Sequence, residues 1–565
     1  MREIEISQKS SRGYAIGSVY LVHREKIVMD QTLVSEDQIE NEIQKYKDAV
    51  AKAKLQLTKL AKQSDIFQAY LQLVDDIALY ECVIDKIHNN YRAEVAVNNA
   101  IDEFIVMLDS LNDEYMKDRV VDLKDIKKRL IYNILGIKEN SFKEISRSSI
   151  IVAEELTPSD TANMDFDKIQ GFVVETGGAT SHVAIIAKSK GIPCFTGVTD
   201  ICKKVSDGML VAMDAEEGVL YLQPTGEILN EIKNKELQLK EKIKEIEKES
   251  GKASETKDGQ KFMVCANVGS LEEIKEIVSI QMDGIGLFRS EFLYMQSDLD
   301  FPTEEEQFQV YKEAAMLMGR EELIIRTLDI GGDKSLNYYN LPKEDNPFLG
   351  CRAIRLCLKE KEMFKTQLRA LLRASAYGNI KIMYPMIISL EELIEANKLL
   401  DECKKELEDL NIEFNKDIEV GMMIETPSSV ILANEFAKHV KFFSIGTNDL
   451  TQYLLAVDRG NEDISYLYNS FHPTVLKAIA YIIKCAHENG IRVGMCGEFA
   501  SDERATQILL GMGLDEFSMA ASSIKSVKYI LRNSSAKECK TIAEKALNEF
   551  TVQGVLDIVN NLKKR

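Results

Sequence analysis

EVGMMIETPSSVILANEFAKHVKFFSIGTNDL, residues 419–450, reads as a strand, a helical stretch and a second strand. Each strand is a short apolar run that closes on polar side chains, Glu425 after the first and Asn448 with Asp449 after the second. Two such runs joined by a helix make a parallel βαβ unit, and the pattern repeats on both sides. KFMVCANV (261–268), GIGLFR (284–289), LIIRTLDIG (323–331), IKIMYPMI (380–387), RVGMCGE (492–498) and DEFSMA (515–520) are further apolar runs separated by helical spacing. Eight units within 256–565 predict a (β/α)8 barrel, a fold that usually takes roughly 250 residues. Nearly every run ends in a polar or reactive residue: Asn267, Arg289, Arg326 with Asp329, Glu425, Asn448 with Asp449, and Cys496. Barrel enzymes carry their chemistry at these strand ends, which gives the pattern a physical reason. The fourth and eighth runs contribute less obviously.

Toward the N-terminus the texture differs. YAIGSVYLV (14–22) reads as a strand. Ile39, Ile43, Tyr46, Val50, Ala53, Leu57 and Leu60 then recur at alternating spacings of four and three, one apolar seam on a long helix. Ser35 with Gln38 is a predicted capping box at its start. Further helical patterns, FQAYLQLV (67–74) and Val95–Leu108 among them, predict an antiparallel bundle up to about residue 145. From 148 the texture becomes β/α: SIIVAEEL, GFVVETGG, a helix, and a strand near Met209–Met213. A charged connector follows at 228–260, helical at first and then, in SGKASETKDG (250–259), a predicted solvated break. The expected architecture is a multidomain α/β protein. An α/β domain made of 1–22 and 146–227 is interrupted by a helical bundle at 23–145. A helical linker at 228–255 leads to a (β/α)8 TIM barrel at 256–565.

A chain of 565 residues is too long for a single core. Its 71 Lys and Arg against 91 Asp and Glu give a net charge of −20, which disfavours nucleic acid as a partner. An anionic substrate must then be gripped by a local cluster of cations, and a protein partner with a basic face would suit the acidic field. The ten cysteines are scattered without a CxxC pair, as expected of a reducing cytoplasm. The N-terminus lacks a signal-peptide pattern, and no window holds roughly 18 uninterrupted apolar residues. A soluble cytoplasmic protein is expected.

Four constellations carry chemistry. In ETGGATSHVAIIAKSKGIP (175–193) a strand ends at two glycines, Thr180 or Ser181 caps a helix, and Gly191 with Pro193 ends it. His182 thus falls in the first turn, where backbone N–H groups and the helix dipole favour an anion and a neutral imidazole, the nucleophilic form. Arg289, Arg326, Lys334, Arg352 and Arg459 form a cation set suited to a small phosphate ester. Glu425 and Asp449 could hold Mg²⁺ against substrate oxygens or pair with the arginines, and both readings stand. Cys496, between the glycines of GMCGE, is expected to be an accessible thiol able to donate a proton.

GGATSHVAIIA, GIGLFRSEFL, RTLDIGGDK, NPFLGCRAIR, ETPSSV, FFSIGTNDLTQYLLAVDRGN and GMCGEFASDERAT together resemble Enzyme I of the sugar phosphotransferase system, the phosphoenolpyruvate–protein phosphotransferase family, over essentially the whole chain. The resemblance implies that His182 is the phosphoacceptor and that Arg289, Arg326, Asn448 and Arg459 hold phosphoenolpyruvate (PEP), with Asp449, Lys334 and Arg352 in the same substrate site. It implies Mg²⁺ on Glu425 and Asp449, Cys496 as the proton donor that yields pyruvate, and Thr161 as a helper. The bundle is implied to dock the phosphocarrier protein HPr, which passes the phosphoryl group toward sugar uptake. Residues 1–22 and 146–227 are implied to be a swivelling phosphohistidine domain, and the barrel to carry PEP and a homodimer contact. Tyr70 stands where the family often has a histidine. Pyruvate phosphate dikinase and PEP synthase share the swivelling domain and barrel but need a nucleotide-binding domain, and the N-terminal 145 residues show no glycine-rich phosphate loop. A non-catalytic regulator would be expected to lose part of the cation set, and a nitrogen-branch variant to add a sensory domain.

Overall fold

The computed structural model describes the chain apart from residues 1, 7–8, 23–28, 62–65, 110–113, 138–141, 143–144, 146–147, 163, 179–180, 298, 333, 335, 337, 340–343, 462 and 563–565. Its contacts divide it into two compact units, Met1–Lys242 and Ile243–Arg565. Among the described residues, no helix is long and apolar enough to cross a membrane.

In the first unit one sheet holds β1 (Arg2–Glu5), β2 (Lys9–Ser11), β3 (Tyr14–Leu21), β4 (Ser149–Ala153), β5 (Ile169–Val174), β6 (Cys194–Phe195), β7 (Leu210–Asp214) and β8 (Val219–Leu222). Their spatial order is β1-β8-β7-β3-β4-β5-β6-β2. The central neighbours β3 to β6 run parallel, and β4 is buried along its whole length, which is why it reads as a continuous apolar run.

Between β3 and β4 the chain leaves the sheet to build, among the described residues, the α-helices α1 (Ile39–Leu60), α2 (Ile66–Val74), α3 (Ile77–His88), α4 (Ala93–Asp109) and α5 (Glu114–Leu135). It then returns so that Ser149 pairs in parallel with Ser18. The seam read from the spacing is the inner face of α1: Ile43, Tyr46, Ala53, Leu57 and Leu60 are buried in the bundle core, with Ile39 and Val50 at its edge. The capping box does not form. Ser35 is extended and its hydroxyl caps nothing; a 3₁₀ turn over Glu36–Gln38 precedes α1, and the Ser35 carbonyl takes the Gln38 N–H instead. Tyr70 is wholly buried in this core, edge-on to Phe67 with ring centroids 5.6 Å apart.

A buried polar knot ties α5 to the short helix Pro158–Ala162. Ser159 Oγ donates to Asp125 Oδ2 at 2.5 Å and accepts from Arg129 Nη2 at 2.7 Å, and Arg129 Nη1 donates to Gln56 Oε1 at 2.9 Å. Lys128 pairs with Asp160 beside it at 3.3 Å.

The second unit is the predicted barrel. β9 (Met263–Val268), β10 (Gly284–Arg289), β11 (Glu322–Arg326), β12 (Asn379–Tyr384), β13 (Val420–Ile424), β14 (Phe442–Ile445), β15 (Arg492–Met495) and β16 (Glu516–Met519) pair in parallel in chain order. β16 closes onto β9 with Phe517 opposite Val264. Leu287, Ile324, Met383, Met423 and Phe442 form a small apolar cluster that includes Cys496, and a far larger core lies among the strands and the helices. At the N-terminal ends of the strands, Arg492 pairs with Glu322 and, at 3.2 Å, with Glu516. Lys381 adds a 2.6 Å pair to Glu322.

The connector follows the expected order. Its helix runs from Gly226 to Ser250, five residues short of the expected end, and the stretch after it is a largely exposed, non-helical break as predicted, tethered through the Asp258 side chain. Asp258 accepts from the N–H groups of Ala536 and Lys537 at 2.8 and 3.1 Å and from Ser535 Oγ at 2.8 Å. Its carboxylate caps the helix Ala536–Leu547 while remaining exposed to solvent.

Candidate active site

The C-terminal ends of the barrel strands surround a cavity of about 440 Å³. Arg289, Arg326, Asp329, Lys334, Arg352, Glu425, Asn448, Asp449, Arg459 and Cys496, each singled out in the sequence for the barrel mouth, all line it, joined by Tyr468 and Glu498. Strand geometry accounts for the convergence. Arg289 and Arg326 are the last residues of β10 and β11, while Glu425, Asn448 and Cys496 follow one to three residues after β13, β14 and β15.

The cations are not equivalent. Arg326 Nη2 meets Glu291 Oε1 at 2.6 Å, and its Nη1 meets Asp329 Oδ2 at 3.0 Å. Lys334 Nζ reaches the same Glu291 oxygen at 2.8 Å. Arg352 Nη2 lies 2.9 Å from Asp329 Oδ1 and 3.6 Å from Asp449 Oδ2. Burial, the largest influence, would raise the Asp329 carboxyl; Arg326, Arg352 and Lys334 together hold it far below the usual carboxylate range. Arg289 makes no ion pair among the described residues, so its charge remains for a ligand. Glu291, wholly buried and shared between two cations, was not singled out; its position directly after Arg289-Ser290 looks like an ordinary helix start.

The two carboxylates resolve differently. Asp449 is within reach of Arg352, but its Oδ1 is buried with no hydrogen-bond partner among the described residues. Glu425 joins no ion pair among the described residues; its Oε1 accepts from the Met386 N–H at 2.7 Å. That contact is the contribution of β12, the fourth strand, whose sequence offered no polar end. Burial first, then the charges of Asp449 and Asp329, push the Glu425 carboxyl up to about 8. Two adjoining acid groups, one with an orphaned oxygen and one resisting ionisation, form a site short of positive charge, which fits a hard divalent cation. Among the described residues no third His, Cys, Asp or Glu completes an all-protein cage, so water and substrate oxygens would supply the other ligands.

Cys496 is buried, contrary to the expectation of an accessible thiol. The glycines beside it serve close packing: a Cβ on Gly494 would stand 3.1 Å from the Glu516 carboxyl carbon, and one on Gly497 would stand 1.9 Å from Thr447 Oγ1. Burial pushes the thiol up to about 11, so it is protonated at neutral pH and suited to give a proton rather than to attack. Asn448 accepts from the Glu498 N–H at its Oδ1 (3.0 Å), which leaves the Nδ2 donor for a ligand, and Tyr468 donates to its carbonyl at 3.1 Å.

His182 belongs to the first unit, where it opens the helix His182–Lys190. Ser181 is the N-cap residue, yet its buried hydroxyl makes no bond among the described residues, and Thr180 lies outside them. Gly191 ends the helix in the left-handed conformation, as read from the sequence. The imidazole is held below its ordinary pKa, as expected, but burial is the leading cause, and Asp125 on α5 opposes it. Thr161 Oγ1 donates to the Pro158 carbonyl at 2.9 Å and is buried in the helix that carries Ser159.

Comparison with known proteins gives these features a family. Residues 243–536 match the PEP-utilising enzyme, PEP-binding domain; residues 8–119 match the PEP-utilising enzyme, N-terminal, and 145–218 the PEP-utilising enzyme, mobile domain. The phosphoenolpyruvate-protein phosphotransferase of Haemophilus influenzae is 42% identical over 560 residues, 97% of each chain. The protein of that name from Staphylococcus aureus is 41% identical over 565 residues, 98% of each chain. Its counterpart from Bacillus subtilis is 41% identical over 565 residues, 98% of this chain and 99% of the other. The chain belongs to the PEP-utilising enzyme family, alongside the phosphoenolpyruvate-protein phosphotransferases.

Proposed function

We propose that the chain transfers the phosphoryl group of PEP to its own His182 and from there to a histidine of the phosphocarrier HPr, releasing pyruvate. The observation that carries the reading is the barrel-mouth cavity, where Arg289 (without an ion pair among the described residues), the Asn448 amide, two carboxylates and a buried thiol converge. Arg289 and Arg459 grip the phosphate and carboxylate oxygens, and Asn448 Nδ2 donates to one of them. Arg326, Lys334 and Arg352, already held by Glu291 and Asp329, present a preorganised positive wall that needs no rearrangement as charge shifts. Glu425 and Asp449 would hold Mg²⁺, which when bound neutralises phosphoryl charge. As the phosphorus–oxygen bond breaks toward the histidine, an enolate remains, and Cys496 gives its thiol proton to the enolate's terminal carbon.

His182 lies in the first unit and the cavity in the second, so the histidine must serve two places in turn. A swivel of the β-sheet domain (1–22 and 146–227) supplies this, with the helical module 23–145 docking HPr and the barrel domain joining two copies in a homodimer. These assignments, and a cytoplasmic setting, rest on kinship with proteins named phosphoenolpyruvate-protein phosphotransferase. The decisive experiment is incubation with labelled PEP and Mg²⁺, comparing the native chain with His182→Ala. Acid-labile label on the native protein alone is expected; equal label on His182→Ala overturns the proposal.

A further inference from the structure

We propose that Asn267 is a positioning residue that sets Cys496 and Asn448 together, through the turn Cys496–Gly497–Glu498. The inference rests on the reading of Cys496 as proton donor and Asn448 as substrate ligand.

Asn267 sits near the end of β9, and its amide reaches across β16 to the end of β15. Nδ2 donates to the Cys496 carbonyl at 3.0 Å and to the Ser518 carbonyl at 3.3 Å, while Oδ1 accepts from Ser518 Oγ at 2.6 Å. The other side of the same residue is tied to β14, where the Cys496 N–H donates to the Ile445 carbonyl at 3.2 Å. Gly497 is pressed against the start of the helix Thr447–Leu455, where a Cβ would come within 2.6 Å of the Thr447 nitrogen. Glu498 then gives its N–H to Asn448 Oδ1. Three consecutive residues therefore carry the thiol, the close approach to Thr447, and the bond that decides which end of the Asn448 amide faces the cavity.

The turn is also a partition. A second cavity of about 270 Å³ shares Arg289, Cys496, Gly497 and Glu498 with the first, and Asn267 lines only the second. Asn267 therefore holds the turn from the side away from the substrate cavity, and any effect it has on the reaction passes through the residues it holds. Without the Nδ2 bond the Cys496–Gly497 peptide is free to rotate, and such rotation displaces thiol and Asn448 amide at once. In the reaction the terminal carbon of the enolate takes the Sγ proton as its C–O bond becomes the pyruvate carbonyl, and the thiolate regains a proton from water. A thiol out of line leaves enolpyruvate to escape and be protonated by solvent on either face.

The test is the stereochemical course at that carbon, read as chiral-methyl pyruvate from PEP carrying one deuterium there, turned over in tritiated water. Asn267→Asp keeps the shape and the acceptor for Ser518 but loses the donor to Cys496; Ser518→Ala removes the hydroxyl that holds Asn267. Asn267→Asp is expected to scramble the product and lower kcat/KM by about 10²-fold, the scale of a 1 Å misplacement. Ser518→Ala is expected to scramble it partly. Single-face protonation at the native rate in either variant, with its thermal unfolding midpoint showing a folded barrel, overturns the proposal; should Asn267→Asp not fold, Ser518→Ala decides. Cys496→Ala separates the two levels. If it too gives single-face product, the reading of Cys496 is at fault; if it scrambles and the other two variants do not, only the positioning role fails.

Discussion

Asp329 and Arg352 meet at 2.9 Å, Oδ1 to Nη2, with both side chains almost wholly buried. The same carboxylate serves Arg326 through its other oxygen and has Lys334 3.6 Å from that oxygen, so one acid just past β11 anchors three cations of the cavity. Removing one partner of such a pair leaves an uncompensated buried charge, at a cost of about 3–5 kcal/mol. Asp329→Ala is expected to lower barrel stability by that order in urea unfolding and to abolish PEP turnover. Asp329→Asn, which keeps the shape, should lose less stability and nearly as much activity. A stability loss below about 1 kcal/mol for Asp329→Ala would mean that water has replaced the carboxylate.

Arg289 is half-buried and Arg326 buried between two carboxylates, and their alanine variants should differ accordingly. Arg289 has no ion pair among the described residues, so Arg289→Ala is expected to raise KM for PEP by roughly ten- to a hundredfold, the worth of one charge-assisted hydrogen bond, with an unchanged unfolding midpoint. Arg326→Ala strands Glu291 and Asp329 and should lower the midpoint as well. Steady-state kinetics and a thermal melt on both variants check the contrast; equal melts would refute it.

The strand ends explain what could be read in advance. A parallel barrel must place residues such as Arg289, Glu425 and Cys496 on one rim once eight apolar runs alternate with helices, so period and order suffice to gather them. Likewise the four-three spacing from Ile39 to Leu60 can only be the inner face of a helix. What escaped were contacts made by atoms with no sequence signature, or by residues far apart in the chain. The Met386 N–H on Glu425 is a backbone group, and any residue would supply it. Glu291 gains its meaning only when β11 brings Arg326 beside it, and Asp258 only when the helix at 536 arrives, 278 residues later. Cys496 was misjudged because flanking glycines permit exposure and close packing alike; the position of Thr447 decides between them.

His182 offers a prediction whose sign is fixed by two opposing influences. Burial holds the imidazole below its ordinary pKa, and the negative charge of Asp125 works against that shift. The neutral, nucleophilic ring should therefore persist below the pH at which a free histidine protonates. Asp125→Asn removes the opposing charge and is expected to lower the His182 pKa further, displacing the acid limb of self-phosphorylation to lower pH. An NMR titration of the ring protons measures the shift directly. Movement upward would show that Asp125 acts chiefly through its bond to Ser159, by reshaping the pocket around the ring.

At the other end of the barrel, Glu516 makes stability depend on pH in the direction opposite to a salt-bridged acid. Burial is the largest influence on its carboxyl, with Glu322 adding to it and Arg492 opposing, and the result is a pKa raised from 4.5 to about 7. Between those values the unfolded chain has released this proton while the folded barrel still holds it, so the folded state binds more protons and unfolding becomes easier as pH rises. The stabilising contribution is fully present below 4.5, declines through the window and is gone above about 7. Glu516→Gln, which cannot ionise and keeps the shape beside Gly494, should flatten the wild-type slope across that range. Urea midpoints taken at half-unit steps of pH on both proteins give the difference. A variant whose slope matches wild type would show that the Arg492 pair at 3.2 Å keeps Glu516 ionised throughout.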